Sequence, residues 1–215
     1  RIIFGSEQLG LNLKKNKYVA PDELGEALAN AGFNVILQSH EHVNRKGEQG
    51  ISSTRNFWKR HPNITLLGVI EDEGEKTYHI FKKNNLKIGM ISYAFTVKNS
   101  LGKKGRFKMN LLSNANEKII ISDLDELRRN SDFVIVCVHW TKNTQSTPTK
   151  EQLKWAKFFA DNNVDLVIGT RLHQIQPISY VKGKTDKMTL VYFSLGDLVS
   201  TEKNTKYSLG GLANI

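Results

Sequence analysis

Cysteine is nearly absent. Cys137 is the one cysteine in 215 residues, so no disulfide forms within the chain, and the count says little about compartment. Its setting in the strand-like run FVIVCVHW marks it as a small buried apolar residue rather than a reactive thiol. Long apolar runs are missing too. The longest, such as Phe133 to Val138, fall far short of the ~20 residues that span a bilayer, so any membrane anchor is expected outside these residues. The chain opens at Arg1 without a leader pattern, and the upstream start of the protein is expected to be missing. Aromatics make up only 9% and do not interleave with basic residues as a base-stacking platform requires, which puts nucleic acid last among partners. Acidic residues are outnumbered 21 to 31, leaving a net charge of +10 that favours an anionic partner. Without internal repeats or a low-complexity linker, residues 1–215 read as a single domain.

What is present is an alternation of apolar runs with segments of helical period, the pattern of an α/β protein with a mainly buried sheet. PDELGEALANAGF reads as a helix, with Pro21 at its start, Asp22 and Glu23 in its first turn and Gly32 as its stop. NVILQS follows as a strand, GEQGISSTRNFWKRHP as a helix ending before Pro62, and ITLLGVI as one strand. KKNNL, with Asn84 and Asn85, marks a hairpin turn between two β-rich runs. SDLDELRRNS predicts a helix capped by Ser122. FVIVCVHW is a strand, TKEQLKWAKFFADNN a helix capped by Thr149, and VDLVIG and KMTLVYFSLG are strands. TVKNSLGKKGRFKMN, which carries Lys103, Lys104 and Arg106, is a glycine-interrupted basic loop, either simply solvated or a lid for an anionic ligand.

Three polar clusters fall at the carboxyl ends of apolar strands: His40-Glu41-His42, His139-Trp140, and the run from Gly169 to Pro177 with Arg171 and His173. Open α/β sheets bind ligands at those strand ends, where an imidazole can reach a metal or a phosphate. Each histidine alone is compatible with a structural role; three such clusters at one kind of edge point to a site. His61, before Pro62, and His79, inside a strand, lack that placement and read as structural.

The order PDELGEALANAGFNVI, the histidine cluster followed by Gly47, LKIGMISYAF, DFVIVCVHW, PTKEQLKWAKFFADNNVDLVIG, LHQIQPI and TLVYFSLGDLVS resembles the CapA/PgsA poly-γ-glutamate capsule-synthesis proteins of the calcineurin-like metallophosphoesterase superfamily. The resemblance covers nearly all of the chain. It implies a four-layer α/β/β/α sandwich, here lacking its amino-terminal part and the family's first metal-binding motifs, with a dinuclear site at the strand ends. It further implies divalent metal ions (Mn, Zn or Mg), retained or lost. By the same resemblance the protein sits on the extracellular face of the cell membrane, anchored upstream, and works with an acidic polymer such as poly-γ-glutamate or a phosphorylated substrate, alongside other capsule-synthesis membrane proteins.

Matched motif by motif, the resemblance puts His42 in the place of the histidine that acts on the phosphate. Glu41 stands where the family has a metal-bridging asparagine, which a carboxylate can replace. His139 and His173 match metal ligands, whereas Arg171 replaces a ligand histidine. A guanidinium has no lone pair to give a metal but binds carboxylate or phosphate in bidentate fashion. Asp197 stands for an asparagine. Two functions are therefore expected: a divalent-metal-dependent phosphoesterase-like hydrolase in capsule synthesis or export, with His42 catalytic and Glu41, His139 and His173 on the metals, or a non-catalytic binding module for an acidic polymer. His40, Arg171, Lys103, Lys104 and Arg106 are the substrate-binding candidates of both.

Overall fold

A computed structural model describes residues 3–4, 18–71, 75–96, 106–141, 145–200 and 203–215. The chain divides into two compact units, Arg1–Thr77 with Thr96–Leu111, and Tyr78–Phe95 with Leu112–Ile215.

In the first unit, helix α1 (Asp22–Asn30) starts after Pro21, whose φ of −64° suits a helix entry, and stops at Gly32, which turns left-handed at φ +86°. Strand β1 (Val35–Leu37), helix α2 (Gly47–Lys59) and strand β2 (Thr65–Leu67) follow, and β1 and β2 pair in parallel. Phe57 and Trp58 of α2 are buried against Phe4, with the Phe4 and Phe57 rings stacked at 5.1 Å. Burying each such ring stabilises the unit by about 1.5–3 kcal/mol.

The apolar run expected as one strand, ITLLGVI, breaks at Gly68 into β2 and β3 (Val69–Ile70), and β3 pairs antiparallel with β6 (Lys108–Met109) in a different sheet. The cause is local. Gly68 has φ +105°, and a Cβ there would sit 2.6 Å from the Ser39 backbone nitrogen. The end of the basic segment is thus a strand rather than a loop. Arg55 ties this region to α2: it donates to the Val69 carbonyl at 2.6 Å and forks onto Glu75 at 2.9 and 3.1 Å.

The second unit is a six-stranded sheet in the order β4-β5-β7-β8-β10-β9. Its strands are β4 (Tyr78–Lys83), β5 (Leu86–Ala94), β7 (Phe133–His139), β8 (Leu166–Thr170), β9 (Ile175–Lys182) and β10 (Met188–Leu195). The β4–β5 hairpin turns on Asn84 and Asn85 with φ of 49° and 65°, the left-handed pair that a two-residue hairpin needs. The four inner strands are parallel and the two edges antiparallel.

Helix α3 runs over Glu117–Asn130, five residues earlier than its expected cap at Ser122, because a 3₁₀ turn at Asn114–Asn116 leads directly into it. Helix α4 (Lys150–Asp161) begins as expected at Thr149, whose hydroxyl accepts from the Gln152 N–H while the Gln152 side chain returns to the Thr149 N–H. Both helices pack on one sheet face, where Ile120, Leu124 and Leu127 of α3 and Trp155, Ala156 and Phe159 of α4 meet Val136, Val167 and Val191. At the amino ends of the strands, Asp165 joins Arg128 and Lys187 and accepts the Val134 N–H at 2.7 Å. Strand β9 was not expected. Pro177 inside it fits because β9 is an edge strand, where a missing N–H costs no ladder bond. A final short helix, α5, covers Thr205–Ser208.

Gly68→Ala is expected to lower stability by at least ~2 kcal/mol, because the left-handed backbone and the approach of Ser39 both reject a Cβ. Thr149→Ala is expected to cost about 1 kcal/mol through loss of the cap. Chemical denaturation measures both, and a Gly68→Ala variant as stable as its parent would contradict the first.

Candidate functional site at the strand ends

Strand register builds the site. Ala94 of β5 lies beside His139 of β7, and His139 beside Thr170 of β8, so three parallel strands end level with one another. β10 runs parallel to β8 and leads through Gly196, at φ +75°, to Asp197. His139, Thr170, Arg171, His173 and Asp197 therefore follow or close the carboxyl ends of neighbouring parallel strands, the edge at which open α/β sheets hold ligands.

The hydrogen bonds fix the imidazoles. Thr170 Oγ1 lies 3.3 Å from the Val138 carbonyl, to which it donates its single proton, and 3.3 Å from His139 Nδ1. Having spent its proton, the hydroxyl accepts from Nδ1–H, so in the neutral ring Nε2 carries the lone pair. The contacts are long, and they orient the buried ring more than they bind it. His173 Nδ1 lies 2.7 Å from Asp197 Oδ2, with the side chains 42% and 33% exposed. A carboxylate on Nδ1 selects the same tautomer, Nδ1–H with the lone pair on Nε2.

Arg171 sits between these groups in sequence, with a left-handed φ of 91°, and its Nη1 donates to the Trp140 carbonyl at 2.9 Å. His173 is also left-handed, at φ 59°. Two non-glycine residues in that region within three positions are strain that the surrounding packing must hold, a pattern typical of functional sites. Leu172, 3% exposed, pins the turn from below. Trp140 is fixed by donating its indole N–H to the Phe193 carbonyl at 2.9 Å, over Gly169, where a Cβ would strike both the indole and that carbonyl.

Three buried glutamines secure the neighbouring loop. Gln176 donates to the Gln145 and Thr147 carbonyls at 3.0 Å each, Gln174 donates to the Gln145 carbonyl, and Gln152 donates to Gln176 at 2.9 Å. Thr170, Gln174 and Gln176 lie in the run from Gly169 to Pro177 that the sequence marks as a polar cluster, but none was singled out there; the register that sets Thr170 beside His139 shows only in the sheet.

The turn His40-Glu41-His42 belongs to the other unit, after β1, and is buried at 5%, 2% and 3% exposure. It is not a solvated loop. His42 Nε2 lies 3.0 Å from Glu41 Oε1, and the ring stacks on Tyr18 at 4.1 Å. The His42 backbone N–H donates to His40 Nδ1 at 3.2 Å, which makes Nε2 of neutral His40 a donor rather than a ligand nitrogen. Arg106 is held by carboxylates: its backbone N–H donates to Glu48 at 2.7 Å and its guanidinium pairs with Glu71. Lys103 and Lys104 lie outside the described residues. His61 pairs with Glu26 at 3.2 Å, a structural contact.

Among the described residues no three His, Cys, Asp or Glu side chains come together closely enough to hold a metal ion. His139 and His173 are the imidazoles this edge offers a metal, each with Nδ1 already engaged, and no chemical step is routed through one.

The architecture is an α/β fold with a mainly parallel six-stranded sheet. Over 83% of this chain and 33% of the other, it superposes on the sulfate thiohydrolase SoxB of Thermus thermophilus with a TM-score of 0.50 at 14% identity. Residues 3–202 match the family described as bacterial capsule synthesis protein PGA_cap, and the chain belongs to that family. It is 25% identical over 190 residues to the PGA biosynthesis protein CapA of Bacillus subtilis (strain 168), covering 88% of this chain and 47% of the relative. With the capsule biosynthesis protein CapA of Bacillus anthracis it shares 22% identity over 183 residues, 84% of this chain and 43% of the relative. The chain thus spans about half the length of these relatives.

Cys137, two residues before His139, is a packing residue: burial pushes its thiol up to about 12. In native protein at pH 8 it is expected to resist alkylation, and to react once the chain is unfolded. Because the folded chain holds this proton more tightly than the unfolded one, stability is expected to decline as pH rises from 9 towards 12. Alkylation as fast in native as in denatured protein would contradict the burial.

Proposed function

We propose that this chain works in the synthesis or export of an acidic capsule polymer such as poly-γ-glutamate, at the cell envelope, and that the strand-end rim binds the polymer's carboxylates. The observation that carries the reading is Arg171, held in a left-handed turn with one arm of its guanidinium on the Trp140 carbonyl, beside strand-end histidines. Guanidinium and carboxylate pair through charge-assisted hydrogen bonds, and part of the cost of ordering this side chain is already met by the fold. The net charge of +10 draws a polyanion toward it. A phosphorylated substrate would meet the same donors, and other capsule-synthesis membrane proteins are the expected neighbours.

A second reading, a divalent-metal-dependent phosphoesterase-like hydrolase, is favoured by one specific observation: His139 and His173 both take the tautomer with Nε2 as the lone-pair nitrogen. His42 would be its proton donor.

Poly-γ-glutamate binding, measured by titration calorimetry at two salt concentrations, separates the two. The proposal expects binding that weakens with salt and is reduced about tenfold or more in Arg171→Ala, the loss of one charge-assisted pair. Unchanged affinity in that variant would overturn it. Stoichiometric metal that disappears in His139→Ala, with chelator-sensitive phosphodiester turnover, would establish the second reading instead.

A further inference from the structure

The amino edge of the six-stranded sheet, at the opposite end of the strands from the rim, carries a row of exposed cations. Register places them. Lys82 of β4 lies beside Lys87 of β5, just before the Ile88–Phe133 pair, and Lys182 of β9 lies beside Met188 of β10. Six strands at a spacing of ~4.8 Å spread this edge over about 24 Å. The acids along it are engaged: Asp165 holds Arg128 and Lys187, Asp186 pairs with Lys182, Asp161 with Lys157, and Asp132 accepts the Lys87 N–H at 2.8 Å. Lys82, Lys83, Lys87, Lys184 and Arg129, the last at the end of α3, are exposed, and none of them has an acidic partner among the described residues. Two apolar side chains stand in the same row: Leu86, 52% exposed beside the hairpin turn and flanked by Lys83 and Lys87 in KKNNLK, and Met188, 47% exposed.

We propose that this amino edge docks on an anionic lipid bilayer, with the β4–β5 hairpin at the headgroups. Charge complementarity supplies the attraction, since cations within a Debye length of a negative membrane surface each add to the binding. The exposed apolar residues choose the bilayer over a carboxylate polymer, because an interface accepts apolar and cationic groups side by side whereas a polyanion gives Leu86 and Met188 nothing to bury against. Four of the five cations are lysines, whose long stems lie along an apolar boundary while the ammonium reaches the headgroups. The docking has a consequence for the rim. From Phe133 to His139, β7 rises about 20 Å at ~3.3 Å per residue, so the strand-end site is held that far from the lipid, on the aqueous side. The inference rests on charge and register in the second unit, and stands apart from the reading of the rim.

The test uses the intact gene product with vesicles of phosphatidylcholine alone or of phosphatidylcholine with phosphatidylglycerol. An environment-sensitive fluorophore is attached at Leu86→Cys or, as the comparison, at Ser146→Cys, an exposed position on the rim side of the sheet; Cys137 is buried. The proposal expects the Leu86→Cys probe to be quenched by nitroxide-labelled lipid at least about tenfold more on the phosphatidylglycerol vesicles, with the effect lost in high salt and in a Lys82→Glu, Lys83→Glu, Lys87→Glu background. The Ser146→Cys probe is expected to stay unquenched on both. Acetylation of Lys82, Lys83 and Lys87 in unsubstituted protein, followed by mass spectrometry with and without each vesicle, gives the same comparison should a variant fail to fold. Equal quenching or equal acetylation on the two kinds of vesicle, or a response as large at Ser146→Cys, overturns the proposal. Protection of these lysines by poly-γ-glutamate and not by phosphatidylglycerol vesicles also overturns it, in favour of the polymer.

Discussion

The position of β7 between β5 and β8 is the constraint on which the rest of the second unit depends. Seven register pairs tie β7 to β5 and five tie it to β8. Side chains alternate across a strand, so this register sends Val134, Val136 and Val138 under the helices and fixes where His139 emerges. A slip of one residue would bury His139 in the apolar layer and part it from Thr170. The strand-end site is a consequence of sheet pairing, and any change that loosens the pairing loosens the site.

Polar groups at the two ends of this sheet are used differently. At the amino ends, Asp165, Arg128 and Lys187 satisfy one another and the Val134 N–H, an ion-pair cluster whose work is structural. At the carboxyl ends, an arginine and a histidine are held at positive φ, and each imidazole is oriented through Nδ1. The first arrangement joins three charged groups to one another and to a strand N–H; the second orders an arginine and two histidines at the edge where open α/β sheets hold ligands.

Much of this was legible in the amino-acid sequence, for reasons that can be named. Thr149 and Gln152 announce a helix start, Asn84-Asn85 a hairpin and Gly32 a helix stop, because each signal acts over a few residues. The motif order disclosed the family for the same reason. What escaped depends on distant partners. Gly68 splits a uniform apolar run because Ser39 approaches it from 29 positions away, which the run itself does not encode. Strand β9 carries a proline and an exposed face, so it lacked the apolar alternation of a strand and became visible only beside β10. The burial of His40-Glu41-His42 follows from packing around Tyr18, and the tautomers at the rim from hydrogen bonds across strands.

Histidine-ring ¹⁵N spectra recorded while poly-γ-glutamate is added test the central claim, that an anion meets this protein at the strand ends. Before addition, His139 and His173 should show the Nδ1–H tautomer. On addition their resonances should move together, while those of His61, paired with Glu26, and of His79 on β4 stay in place. Shifts confined to His40 and His42, or no selective shift at His139 and His173, would contradict the account.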